Sequence, residues 1–538
     1  MSSPRLPSSV ALQYYDKAIH AVTKSFDNPT FQSMQALIIL AKFALSNGQP
    51  IVAQPFMFNC IRMAKLLRLD VDPDDSPWLN MLTEQKKLER RRVYHVALLY
   101  ALAHRIFCPS IETADIGIGS GCVKPIYTHS IVNGVPMLEI STICHNQSLL
   151  TYIEQVRRHH CLTPPTSMAV LLNRSEYELM HQRLLYLKST LPEHLILSSR
   201  LNITQFLASE ALTSENILTV FPTLIDKTAL TLYYNTAVCL LHRSRLLATG
   251  FLHLDSPALM DNPAAMATLL ASLDASVISA RCIAEVNGWL CAQQAQFSAL
   301  VLLKIWKENT VASLCLFEAC VVLWFAVCRT QPFWWWRGDG EQGSDGDETD
   351  NARKDVWADG LPGSRGPLGI LCMTREDRVA MRKGVADINR TLKGLERLLS
   401  GSPEGSSPAS EPAISSGGSN AGSARVSPDI GFTASPIGNN MISPLLSAIQ
   451  CMLSEMEEVE MRSEGIRVST QNRNSDPALD SIVIGMTEMS LGSIKTVMEE
   501  PWVFCSLLGC EIGGSVRLRC YYDDPWRLFW ANVTYLKQ

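Results

Sequence analysis

The sequence predicts an all-α protein: a large multi-helix domain of antiparallel helix pairs, disordered linkers and a small C-terminal region. Three observations predict it. Apolar residues recur at three- and four-residue steps through most of Ser9 to Arg337. Strand-like alternation is scarce before residue 500. Two long segments carry almost no apolar periodicity.

The elements follow in order. In "QALIILAKFALSNG", Met34, Leu37, Ile38, Ala41, Ala44 and Leu45 share one helical face, and Asn47-Gly48 offers a cheap left-handed exit. "IRMAKLLRLD" begins at Ile61, and its helix buries Phe56, Cys60, Ile61, Ala64 and Leu67, so the two phrases form an antiparallel pair. No second copy recurs at a fixed period, which argues against a tetratricopeptide-type array. In "TEQKKLERRRVYHVALLYALAHRIF", Thr83 can cap and Glu84 suits the first turn. This helix starts charged and ends apolar, so it should run from the surface into the core. Leu230–Ala248 and Asp274–Leu290 continue the helical pattern.

Gly338 to Gly366 is acidic and Ser400 to Ser443 is rich in Ser, Gly, Pro and Ala; neither buries enough surface to offset ordering entropy. The expected division is a helical domain over 1–337, an acidic linker over 338–368, an amphipathic helix over 369–399, a Ser/Gly/Pro-rich segment over 400–443 and a C-terminal helical region over 444–538. Val516 to Tyr522 is its best strand candidate.

Composition narrows the function classes. The 538 residues are 47% hydrophobic and 18% charged, with net charge -5, so a large core is affordable and no basic surface announces nucleic acid. The 16 cysteines are scattered without a Cys-x-x-Cys pair, and the N-terminus lacks an apolar signal core. They read as small buried hydrophobes in a reducing compartment, and no metal site is expected.

Other signals have ordinary readings. Gly338, Gly340 and Gly343 spell a dinucleotide-binding string, but acidic residues surround them and no helix follows. No phosphate loop, His-Glu-x-x-His or Gly-x-Ser-x-Gly appears, and an enzyme is not expected. Val311 to Cys328 is nearly a membrane span, but Glu318 sits near its middle, so a buried core helix is preferred over a membrane anchor. Lys86 to Arg92 reads equally as a nuclear import signal, a phosphate contact or solvated helix turns. Arg157 to His160 reads as a surface turn. Ser402, Ser407, Ser427, Ser435 and Ser443 each precede proline, as in sites of proline-directed phosphorylation.

Taken together, the helical phrases resemble the regulatory (middle homology) domain of fungal-specific transcription factors of the zinc-cluster family, over roughly residues 10 to 330. The matching residues are Gln35, Ala36, Leu37 and Gly48; Ile61, Arg62, Met63, Ala64 and Leu69; Glu89, Arg90, Arg91 and Arg92; then the Leu-Pro segment in Leu187–Leu195; and Tyr233, Leu241, His242, Arg243 and Leu246. The chain departs from the pattern at Arg68 and Asp70, where Gly and His are usual, at Tyr94 for Trp, and at His104-Arg105 for Asp-Arg. The family's six-cysteine zinc reader is not in this chain, whose first cysteine is Cys60.

The resemblance implies a nuclear regulator of RNA polymerase II transcription. Zinc would enter only with an upstream cluster, and DNA would be reached only through that cluster or a partner's. Other implied partners are the transcription machinery, related factors and a small-molecule effector. A truncated gene product or a head-less paralogue would both fit. The alternative from another class is a helical interaction protein that pairs with full-length relatives and titrates them. A membrane-associated protein anchored through 311–328 is the third reading. Glu89 and Arg90 to Arg92 are expected to lock helices together by pairing with neighbouring acidic groups.

Overall fold

The computed structural model describes residues 8–24, 29–107, 123–132, 135–162, 174–192, 195, 217–249, 263–292, 305–307, 309, 311–328, 330, 375–400, 442–471, 512–513 and 515–516. Among them the protein is all-α, apart from two small antiparallel strand pairs.

The N-terminal unit contains α1 (Ser8–Thr23), α2 (Phe31–Ser46), α3 (Pro50–Leu66) and α4 (Glu84–Phe107). Thr30 caps α2, its hydroxyl accepting from Ser33 N–H at 3.0 Å. The face expected from the spacing is the one buried, joined by Leu40. In α3 the inner face is Ala53, Phe56, Met57, Cys60, Met63 and Ala64, while Ile61 and Leu67 are half-buried at its margin. Tyr15 of α1 stacks on Phe43 with ring centroids 4.7 Å apart, tying α1 to the pair.

Both α2 and α3 end the same way. Gly48 (φ 69°) closes α2, with Gln49 N–H on Ala44 O and Gly48 N–H on Leu45 O. Arg68 (φ 51°) closes α3, with Leu69 N–H on Ala64 O and Arg68 N–H on Lys65 O. The left-handed residue turns the chain back so that otherwise orphaned carbonyls find donors.

A 3-10 turn, Pro73–Asp75, leads to α4, whose first turn is capped by Thr83. The α4 helix does run inward: from Ala101 to Phe107 every residue is buried, His104 and Arg105 included. A hairpin of β1 (Tyr127–Val132) and β2 (Val135–Ile140) follows, in the register Tyr127 opposite Ile140 and Val132 opposite Val135. Strands stay scarce among the described residues, as expected, though this particular hairpin was not singled out from the sequence. Asn133-Gly134 between β-branched residues is the signal that marks it.

The second half of the core is built on α5 (Thr142–Leu162), α6 (Arg174–Thr190), α7 (Ile217–Thr249), α8 (Pro263–Ala292) and α9 (Ala312–Cys328). Helix α7 is 33 residues long, about 50 Å, and packs on α5, α6, α8 and α9. Helix α9 is buried from Ala312 through Ala326 on every side, by α7, α8, α10 (Arg375–Ser400) and α11 (Ile442–Gln471). Its apolar surface is therefore covered by protein. Helix α8 is long and apolar enough by composition to cross a membrane, yet it uses Ser272 and Asn287 to bond α7 and α10.

Helix α10 matches 375–399 of the stretch expected to be an amphipathic helix, 369–374 lying outside the described residues, and its apolar face, Met381, Val385, Ile388, Leu392 and Leu395, joins the same core. At the α8–α10 crossing Gly384 lies so close that a Cβ there would sit 2.9 Å from the Ala284 Cβ. Helix α11 closes over α9 through Leu446, Ile449, Met452 and Met456, and Glu455 accepts from Trp324 Nε1 at 2.6 Å. A short pair, β3 (Ile512–Gly513) with β4 (Ser515–Val516), includes only Val516 of the expected strand; the rest of that segment lies outside the described residues.

Candidate functional site

Two charged clusters hold most of the residues singled out in the sequence. The first surrounds the N-terminal turns of α4. Arg91 lies one turn above Lys87 on the face turned toward the 3-10 turn. Its Nε and Nη2 donate to the Asp72 carboxylate at 2.9 and 2.6 Å, and Nη2 also reaches Asp74 Oδ2 at 2.6 Å. Lys87 Nζ donates to Asp74 Oδ1 at 2.9 Å and Asn80 Oδ1 at 3.1 Å. Lys124, from the irregular segment before the hairpin, donates its backbone N–H to Asp72 Oδ2 at 2.9 Å and its ammonium to Asp74 Oδ2 at 3.1 Å. Arg90 Nη2 turns the other way and donates to Leu67 O at 2.8 Å and Arg68 O at 3.3 Å, satisfying the C-terminal carbonyls of α3.

Burial works against the Asp72 charge, but the Arg91 guanidinium and two backbone N–H donors outweigh it and pull its pKa down to about 2. Lys87, Lys124 and Arg91 hold the Asp74 carboxyl well below the usual range. The string Asp70, Asp72, Asp74, Asp75 has the spacing of a cation loop, yet Lys87, Arg91 and Lys124 already supply the positive charge at Asp72 and Asp74. Among the described residues no group of three or more His, Cys, Asp or Glu is arranged to hold a metal ion.

His95, two turns along α4, extends this cluster. Its Nδ1 lies 2.8 Å from Gln147 Oε1 on α5, and its Nε2 lies 3.0 Å from Lys124 O. With an oxygen facing each ring nitrogen, the imidazolium satisfies both. Burial opposes that charge, but the nearby Cys144 sulfur and the Gln147 and Lys124 oxygens raise the pKa to about 9. Lys124 is thereby clasped at its N–H, its carbonyl and its ammonium.

The second cluster lies in the interior, where α7 crosses α9. Arg243 Nη1 donates to Glu318 Oε2 at 2.6 Å, and both side chains are nearly sealed from solvent. Burial pushes the Glu318 carboxyl up, and the Arg243 charge pulls it back. His242 Nδ1 lies 3.1 Å from Ser272 Oγ of α8, and its ring is 5.5 Å from that of His181 on α6. Tyr177 and Ser244 share a hydroxyl–hydroxyl bond of 2.7 Å, and the Arg245 guanidinium sits 3.6 Å over the Tyr177 ring. Burial lowers the Arg245 pKa to about 10. It raises the nearby Cys315 thiol to about 12, so this thiol is held in its unreactive form.

The structure therefore draws Arg90 and Arg91 into one cluster, and His242 and Arg243 into another. Gln35 is half-buried on α2, Gly48 closes that helix, and Arg62, Glu89 and Arg92 face solvent. Lys87, Arg90 and Arg91 are engaged inside the protein, which differs from a solvated basic run. Arg157 is not in a surface turn. It lies on α5, is buried, and donates to the carbonyls of Arg105 and Ile106 at the end of α4. The side chains of Arg158, His159 and His160 are outside the described set, as are Gly338 to Gly343 and Ser402, Ser407, Ser427 and Ser435. Ser443 lies in the first turn of α11.

Reading the sequence alone missed Asp72 and Asp74 as partners of Arg91, and Lys124 as a further partner of the same two carboxylates. Nothing local marks Lys124, which lies 50 residues beyond Asp74. Four aspartates in six residues, just before a basic helix start, mark the other half.

No protein-family model, curated protein or solved structure matches the chain.

Proposed function

We propose that the chain is a nuclear regulator of RNA polymerase II transcription of the fungal zinc-cluster type, whose helical body restrains or permits activation while DNA reading is supplied by a cluster outside residues 1–538 or on a partner. The observation that carries this reading is the junction of α3 and α4. The position where the resembled pattern has glycine, Arg68, adopts a left-handed backbone (φ 51°). In the phrase Glu89-Arg90-Arg91-Arg92 the first arginine, Arg90, binds the carbonyls of that turn, and the second, Arg91, clamps the following acidic turn. Positions from two of the resembled phrases thus have a joint physical role. The Leu-His-Arg phrase likewise ties α7 to α8 and α9 through His242 and Arg243. The geometry favours recognition over catalysis, because the paired charges are spent on fixing helices.

The test is to fuse the whole chain to an unrelated DNA-binding domain and place its operator before a reporter gene in fungal cells. Reporter output several-fold above or below that of the DNA-binding domain alone is expected. Unchanged output from a fusion that is abundant, folded and nuclear would sink the reading. So would tight, sequence-specific duplex binding by the purified chain, because DNA reading would then reside in these residues. Recovery of an intact zinc-cluster relative with the tagged chain, together with unchanged reporter output, would favour the titrating interaction protein.

A further inference from the structure

Among the described residues, no helix packs extensively on the β1–β2 hairpin. The two strands make their substantial contacts with each other, and Tyr127 and Leu138 are 50% and 60% exposed. An isolated two-stranded hairpin is marginal in water and gains stability from a third strand or a packed face. This one is nonetheless held firmly at its base. Lys124 is clasped by Asp72, Asp74 and His95, and Ile126 O accepts from Ser141 N–H at 2.8 Å where α5 begins.

Its two edges differ. Val132 and Val135 flank a two-residue connection, so they form a closely bonded pair, and bonded pairs alternate from there. Ser130 with Met137 and Thr128 with Glu139 then exchange hydrogen bonds inside the hairpin. Ile131, His129 and Tyr127 turn their N–H and C=O groups outward on β1, while Pro136, Leu138 and Ile140 do so on β2. Pro136 has no N–H to offer, which blunts the β2 edge. The β1 sequence, Tyr-Thr-His-Ser-Ile-Val, carries no proline and no Lys, Arg, Asp or Glu. Among the described residues neither edge is paired with a third strand.

We propose that β1 is a dimerisation edge, on which β1 of a second copy of this chain pairs antiparallel about a two-fold axis to make a four-stranded sheet in the order β2, β1, β1, β2. A twin strand fits for two reasons. Two uncharged β1 edges meet without like-charge repulsion, and the same outward groups serve both copies. The assembly also tends to close, because both outer edges are then the Pro136-blunted ones, which disfavour addition of a further strand. The rigid base fixes where the edge points, which limits the ordering entropy lost on pairing. This inference does not depend on the transcriptional reading.

The test is light scattering on the full-length chain over a dilution series, with His129→Pro and His129→Lys beside wild type. His129→Pro removes an outward N–H and leaves the hairpin's own ladder intact. His129→Lys sets a charge on each of the paired edges. Wild type is expected at twice the 59.6 kDa chain mass, and both variants at half that value, with unchanged helical circular dichroism. A wild-type chain that is monomeric throughout overturns the proposal. So does a folded His129→Lys variant that stays dimeric, whether or not His129→Pro folds.

Discussion

At the scale of single residues, Arg68 shows how a backbone requirement outlives the residue type best suited to it. The turn after α3 needs a left-handed conformation, and the hydrogen bonds that close it resemble those closing α2 at Gly48. A side chain in that conformation costs about 1 kcal/mol relative to glycine. Arg68 is exposed and its contact to Arg90 is through its backbone oxygen. Arg68→Gly is therefore expected to stabilise the protein by roughly 0.5–1 kcal/mol after the added freedom of the unfolded chain is counted, read as a higher midpoint in urea.

His95 and His104 give α4 opposite sensitivities to pH. The folded pKa of His95 is raised to about 9 from 6.5, so its contribution is complete below pH 6.5 and is lost as pH rises through 9. Burial, with the Arg105 charge and against a bond to the Pro50 backbone, lowers the His104 pKa to about 4, so the unfolded chain takes up the proton first and stability drops as pH falls from 6.5 toward 4. Thermal melts from pH 6.5 to 9.5 should show a falling midpoint in wild type and a flatter profile in His95→Asn. If the two profiles coincide, the double clasp on His95 is not charged.

At the scale of elements, the Arg243–Glu318 ion pair lies buried in the seam where α7 crosses α9. Glu318 is the charge that argued against a membrane span in the sequence, and in the fold it meets Arg243, 75 residues away. Removing one partner leaves a buried charge without its counter-ion, at about 3–5 kcal/mol. Replacing both by apolar residues of similar volume restores a consistent interior. Glu318→Leu and Arg243→Met are each expected to lower stability by about that much, and the double variant to lower it by less than either. Full additivity in urea titrations would show that the two side chains are not energetically coupled.

At the scale of the whole molecule, helices that the sequence separates by long polar segments share one core. Helices α10 and α11 lie beyond residues 329–374 and 401–441, yet they finish the covering of α9. Their attachment depends on a close approach, at which Gly384 leaves no room for a Cβ beside Ala284. Arg281 with Asp377 and Asn287 with Thr391 pin the same crossing at 3.0 and 2.8 Å. Gly384→Leu should cost about 1–3 kcal/mol by overpacking. Hydrogen exchange should then quicken in α8–α11 and stay slow in α2–α4. Uniform quickening across all helices would mean that the protein opens as one unit.

What the sequence determined by itself is local. Apolar spacing placed the inner face of α2, Asn47-Gly48 placed its end, Thr83 placed the start of α4, and the absence of long alternating runs gave the all-α class. These signals are legible because each is decided by groups within a turn or two along the chain. Only the tertiary structure decided which charges turn inward. Arg90, Arg91 and Arg92 look alike in the sequence. One caps α3, one clamps Asp72, and one faces water, because helical spacing points them in three directions at different neighbours. The same holds for Trp324 and Glu455, 131 residues apart. Such pairs are formed by packing, where burial makes an unmet polar group costly and so selects the arrangement that meets it.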